Sequence, residues 1–208
     1  MNNPSVRLVA DTSAIINLIA TQCPAEILRA LPERLVITDI AAAEIEEGRR
    51  KGHIDAEVLD ELKKAELITI GGLGDAGEGL FERLVIGPAC MTLDDGEAAT
   101  IAYAVENSLG VIIDDYKARR ICKKEFGRVP MRCSVEIFRL PTVQRTLGPK
   151  QLECAVLNAL QIARMGVPPE HIEWVVGVIG DVRASSCPSL PRRNRDAAAV
   201  RTKAATRA

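Results

Sequence analysis

The sequence predicts an α/β protein, a parallel sheet of about five short strands covered by helices on both faces, with a helical extension at its C-terminal end. Three observations carry that prediction. Apolar, β-rich runs alternate with stretches of helical spacing through the first 140 residues. Leu8-Val9-Ala10 and Val111-Ile112-Ile113 are apolar throughout, as strands buried on both faces are. Each of these two runs ends on acid, Asp11 and Asp114-Asp115, and helix-like spacing follows at once.

In chain order, Val6–Ala10 is the first strand, Ser13–Ala20 a short helix, and Pro24 suits the first turn of a second. Leu35–Thr38 is a strand whose end, Thr38 or Asp39, can cap a helix running to about Arg50. Glu57–Ala65 is helical and Leu67–Ile70 a strand. A glycine-rich loop follows, then a short helix around Leu80–Val85 that stops at Gly87-Pro88. Asp94 or Asp95 opens a long helix to about Ser108, Val111–Ile113 is the fourth strand, Tyr116–Phe126 a helix, and Val129–Cys133 a weak fifth strand before a turn or two of helix at Ser134–Leu140. Residues 1–140 thus form the main domain. Residues 141–180 are an appended helical hairpin broken at Pro168-Pro169, and residues 181–208, rich in Pro, Arg, Ala and Ser, are expected as a disordered tail.

The totals bound the function. A net charge of −1 conceals a basic end, with seven Lys and Arg from Arg183 onward against one acid, Asp196. Any surface for phosphates in the acidic remainder must therefore be local. Aromatic residues are 3% of the chain, which argues against binding of single strands by extended stacking. Six cysteines without a Cys-x-x-Cys pair, and only two distant histidines, exclude zinc spacing and read as free thiols of a reducing, cytoplasmic compartment. No apolar run is long enough for a membrane span and no secretory pattern stands at the N-terminus.

The informative residues are acids in places where acids do not belong. In the helix after the second strand, Ile40, Ala41, Glu44, Ile45 and Gly48 share one face, so Glu44 lies in the apolar stripe while Glu46 and Glu47 lie outside it. Glu97 stands in the first turn of the long helix, one turn before the apolar Ile101. Four segments therefore bring Asp11, Glu44, Glu97 and Asp114/Asp115 to one end of the sheet. Each has an ordinary alternative. Asp11 and Asp114 or Asp115 can cap helices, Asp94-x-x-Glu97 has capping-box spacing, and Glu44 can pair with Arg49 or Arg50. It is the conjunction that points to a hard divalent cation, Mg²⁺ or Mn²⁺, and to phosphodiester hydrolysis.

Order and spacing resemble the PIN-domain nucleases, in particular the branch with Asp-Gly-Glu-Ala at a helix start and a later Ile-Asp-Asp-x-x-Ala-Arg. The matching residues are Val9-Ala10-Asp11-Thr12-Ser13, Ala43-Glu44-Ile45, Asp95-Gly96-Glu97-Ala98, Ile113-Asp114-Asp115-Tyr116-Lys117-Ala118-Arg119, and the closing Ser134-Val135-Glu136-Ile137-Phe138. The resemblance implies a three-layer PIN-like fold and a metal set of Asp11, Glu44, Glu97 and one of Asp114/Asp115, with Thr12 or Ser13 in support. It also implies an endoribonuclease acting on RNA, with the toxin role of a toxin–antitoxin pair, an antitoxin partner and a homodimer as further expectations. Ile113 departs from the threonine many relatives carry two residues before the last acid, which leaves Asp114 against Asp115 open.

The basic face of the Tyr116 helix, Lys117, Arg119, Arg120, Lys123 and Lys124, is the candidate RNA-binding surface beside the acids. Two rivals stand against the enzyme. One is a catalytically silent PIN-like subunit that binds RNA or protein. The other is nucleotide binding by Gly72-Leu73-Gly74-Asp75-Ala76-Gly77, a literal Gly-x-Gly-x-x-Gly. The short helix after that loop, and an Asp94 that begins a helix where it should end a strand, argue against the nucleotide site.

Overall fold

Short apolar runs cannot bury themselves singly, and here five of them pair side by side. The structure, a computed structural model, describes residues 7–89 and 91–205. Strands β1 (Arg7–Ala10), β2 (Arg34–Thr38), β3 (Ile68–Gly71), β4 (Gly110–Ile112) and β5 (Met131–Arg132) form one sheet in the order β3-β2-β1-β4-β5. Every pairing is parallel, with Val9 opposite both Val36 and Val111. The chain moves from β1 outward through β2 and β3, then returns to the other side of β1 for β4 and β5. The point where strand order reverses lies between β1 and β4, where open α/β sheets bind ligands.

Alternate residues of the strands feed two separate apolar layers. Leu8, Ala10, Leu35, Ile37 and Ile112 join the larger core with helices α1 (Thr12–Ala20), α2 (Pro24–Ala30), α3 (Asp39–Arg50) and α4 (Asp55–Lys64). Val9, Val36, Val111 and Ile113 join the other, with α5 (Asp75–Val85), α6 (Asp95–Asn107) and α7 (Tyr116–Glu125). The result is the three-layer α/β/α arrangement with C-terminal helices that the sequence predicts.

Two elements depart from expectation. Helix α5 is longer than predicted because it begins inside the glycine-rich loop, where Glu106 of α6 accepts the amides of Gly74 at 3.0 Å and Gly77 at 2.9 Å. The second departure is larger. Residues beyond 181, expected as a disordered tail, form α11 (Asp181–Ser185) and α12 (Arg192–Ala205) after α8 (Ser134–Phe138), α9 (Pro141–Gln161), a 3-10 turn (Pro169–His171) and α10 (Ile172–Ile179). A few isolated apolar residues hold this end down: Ala184, Cys187, Leu190 and Ala198 are buried in the larger core, and Arg201 pairs with Asp181. The hairpin itself is no satellite. Val143, Val156, Ala159 and Leu160 are buried in the same core as Ile15 and Phe138.

A core shared in this way predicts one cooperative transition. Leu160→Ala should lower the stability of the whole chain by about 2–5 kcal/mol, as Leu→Ala does in a close-packed core. Chemical denaturation followed by both far-UV circular dichroism and fluorescence of the single Trp174 checks it. Non-coincident transitions would show instead that the extension unfolds by itself.

Candidate active site

Parallel pairing of β1 and β4 sets their carboxyl ends side by side, and the Asp11 amide continues the ladder by donating to Ile112 O at 3.1 Å. Asp11 is the N-cap of α1: its Oδ1 accepts from Ala14 N at 2.6 Å and from Ser13 Oγ at 2.9 Å. The residue is 1% exposed, and its Oδ2 is buried with no hydrogen-bond partner. Burial, then the charges of Asp114 and Glu97, push its pKa up to about 7 against the two bonds that favour the anion.

Asp114 is heavily bonded. Oδ1 accepts from Ser134 N at 2.7 Å, and Oδ2 accepts from Asn17 Nδ2 at 2.7 Å and from the Ser134 hydroxyl. Desolvation still raises its pKa overall, with these bonds and the Arg119 guanidinium opposing. Asp115 is exposed and caps α7 through Ala118 N, 2.8 Å from Oδ1. Glu97, half-buried in the first turn of α6, is raised to about 7, first by desolvation and then by Asp115 and Asp94, while a bond from the Asp94 backbone opposes.

Glu44 has a different place. Its carboxylate accepts from the Thr12 hydroxyl and, 2.9 Å away, from Gly96 N. It thereby ties the start of α1 to the start of α6, one residue from Asp11 and one from Glu97. Gly96 has to be glycine for this contact, since a Cβ there would lie 2.7 Å from Thr12 Oγ1 and closer still to Glu44.

Glu97, Asp114 and Asp115 line one cleft of about 790 Å³ with Ser13 and Asn17. Arg119, Arg120 and Lys123 of α7 line it as well, whereas Lys124 faces a neighbouring groove and pairs with Glu125 at 3.5 Å. Arg119 also donates to Ile113 O at 3.1 Å, and Lys117 is close enough to Glu97 to lower its pKa. Sequence reasoning missed Asn17 and Ser134, which hold Asp114. Asn17 had left a signal of the same kind as Glu44, a polar side chain in an otherwise apolar helix.

Two other constellations are explained by the fold. The Gly72–Gly77 loop points two of its amides at Glu106, so an internal carboxylate takes the place that phosphate oxygens would need in a nucleotide site. Cys133, Glu136 and His171 bring ligand atoms within 4.8 Å of one another. There Glu136 accepts the Cys133 amide in a capping box, and His171 Nδ1 lies 2.9 Å from the Arg139 guanidinium.

A family model described as a PIN domain matches residues 7–130, which include the whole carboxylate set. The chain belongs to the PIN-domain family. No curated protein and no solved structure matches it significantly. PIN domains are generally metal-dependent nucleases. The residues of this PIN domain fit a divalent ion: Asp11 offers a buried oxygen with no other partner, its charged neighbours are carboxylates, and all-oxygen donors suit hard cations. No described helix is long and apolar enough to cross a membrane.

The raised carboxyls predict how the metal-free protein responds to pH. Asp11 and Glu97 rise to about 7 from 3.8 and 4.5, so between about 4 and 7 the folded state binds more protons than the unfolded. Their contribution is complete below about 4 and is lost as pH rises through 7. Acids held low by cations, such as Asp60 beside Lys63 and Arg49, act in the opposite sense. The difference in melting temperature between the native chain and Asp11→Asn in EDTA therefore isolates the effect. Native should lose stability relative to the variant from pH 4.5 to 7.5, and Mn²⁺ at pH 7.5 should restore it; a flat difference would contradict the burial of these charges.

Proposed function

We propose that this PIN domain is a Mg²⁺- or Mn²⁺-dependent endoribonuclease, with the cleft at the end of β1 and β4 as its active site. The unpartnered, buried Oδ2 of Asp11, set among like charges, is the observation that carries this reading. An ion there would be held by Asp11, Glu97 and Asp115, and when bound it supplies Lewis-acid stabilisation at a phosphodiester. Asp115 leaves one oxygen free after capping α7, whereas Asp114 accepts three bonds and serves to fix the floor of the cleft. Glu44 is a positioning residue, its oxygens committed to Thr12 and Gly96. Ser13 fixes the rotamer of Asp11 by donating to Oδ1. Arg119, Arg120 and Lys123 of α7 line the same cleft, which supports their binding the flanking phosphates.

Cleavage of RNA in Mn²⁺ with an EDTA control tests the reading. Asp11→Asn and Glu97→Gln should each lower the rate by at least about 100-fold, the scale of losing one electrostatic contributor to a reaction. Asp115→Asn should lower activity and Mn²⁺ affinity while the melting temperature holds, because asparagine caps a helix as well as aspartate does. Asp114→Asn should instead destabilise by about 1–3 kcal/mol, since its amide cannot accept every bond that Ser134 and Asn17 donate. Cleavage indifferent to EDTA would sink the metal-nuclease reading. RNA binding without cleavage would favour a silent binding subunit. A toxin role, an antitoxin partner and a homodimer rest on the family resemblance, and a cytoplasmic location on the free thiols Cys23, Cys122, Cys133, Cys154 and Cys187. Growth arrest on expression, relieved by Asp11→Asn, tests the toxin role.

A further inference from the structure

The cleft has a wall that the family match does not reach. Besides the acidic floor and α7, one continuous segment lines it: residues 163–170, from just after α9 into the 3-10 turn. These residues lie well beyond residue 130, where the match ends. The segment is firmly anchored. Met165 is 1% exposed in the larger core, its amide donates to Ala159 O at 3.0 Å, and the His171 amide donates to Pro168 O at 2.9 Å. Pro168 and Pro169 fix the backbone further.

Within this anchored segment, Arg164 is exposed and holds φ at 55°, the left-handed region that suits glycine and strains residues with a Cβ. Gln22, Glu66 and Ser108 hold the same region after other helices, so this φ marks a helix end; what distinguishes Arg164 is its place at the edge of the cleft. Neither Arg164 nor Lys123 makes an ion pair among the described residues. The cleft also contains Tyr116, the first residue of α7. It is 77% exposed, whereas the chain's other tyrosine, Tyr103, is buried at 8%. An aromatic ring left in water at the mouth of a charged cleft contributes little to the core and offers a face for stacking.

We infer that residues 163–170 and Tyr116 form the specificity wall of this cleft. Tyr116 stacks on an unpaired base next to the phosphate over the acidic floor, and Arg164 holds a neighbouring phosphate from the side of the extension. The chemistry at the floor rests on the nuclease reading above, but the wall is a binding device and is measured separately. Cations from two parts of the chain, α7 and residues 163–170, bracket a floor of carboxylates. A polyanion is thus held at its flanks while one phosphate is brought over the acids.

The test is fluorescence anisotropy of a short, labelled, unpaired oligoribonucleotide with Mg²⁺, in an Asp11→Asn background that blocks turnover. Adding Tyr116→Ala should weaken binding by about 5- to 150-fold, the range for losing one stacked base, while Tyr116→Phe keeps the affinity. Adding Arg164→Gly should weaken binding and make the slope of log affinity against log salt shallower by about 0.7, one phosphate contact on a single strand. Glycine relieves the left-handed φ, so the same variant should melt at or above its parent, which separates lost contact from lost fold. An unchanged affinity for Tyr116→Ala, or an unchanged salt slope for Arg164→Gly, overturns the role of that residue. Both unchanged, with the native chain still cutting RNA, overturns the wall and leaves the nuclease standing. Both lost in a chain that never cuts RNA keeps the wall and removes the nuclease, and no binding by the parent overturns the wall, the nuclease being decided by cleavage with the native chain.

Discussion

Parallel pairing of β1 with β4 is the constraint on which the site depends, because it fixes Asp11 and Asp114 at the ends of adjacent strands. Two carboxyls brought together under burial repel, and water cannot screen them well. The structure offsets this only in part. Asp11 receives a helix amide and a serine hydroxyl, and Asp114 receives Ser134 and Asn17. Even so, Asp11 and Glu97 hold their protons up to about 7. A cluster that needed only to be stable would end these strands in asparagine or serine. Keeping acids there retains a charge deficit that a cation can satisfy, at a cost in stability of the kind functional sites carry.

The surrounding elements keep that deficit in a defined shape. Glu44 fastens α1 to α6 through Thr12 and Gly96, so the residues beside those contacts, Asp11 and Glu97, cannot drift apart without breaking one of the two bonds. Ser134 begins α8 and reaches Asp114 with both its amide and its hydroxyl, which ties the floor to the chain leading into the extension. Hydrogen-bond partners of this kind fix how carboxylates are oriented, as outer-shell partners do at metal sites.

The strands, their order of appearance and the exposed or buried character of the acids were legible in the sequence because they follow from local periodicity. Glu44 could be picked out by its helical phase, and Asp11 by ending an apolar run. What it holds could not: Glu44 is satisfied by Thr12 and Gly96, which are 32 and 52 residues away along the chain. The Gly72–Gly77 motif, judged an unlikely nucleotide site on its helix context, has its amides occupied by Glu106, a residue no spacing rule connects to it. The C-terminal end was misread because composition averages over a window. A few buried positions, Cys187, Leu190 and Ala198, decide its order, and the arginines and prolines around them dominate the average.

The extension unites stability and site. Helix α9 contributes Val143, Val156 and Leu160 to the larger core, and the segment that leaves it passes along the cleft with Met165 as its anchor. Because that anchor is a core residue, the position of Arg164 relative to the acids is set by close packing, which deforms little. On the proposed reading, a net-acidic body binds a polyanion through local geometry, with cations at both flanks of the carboxylates Glu97, Asp114 and Asp115. Long-range attraction is not required of it, and its overall charge of −1 supplies none.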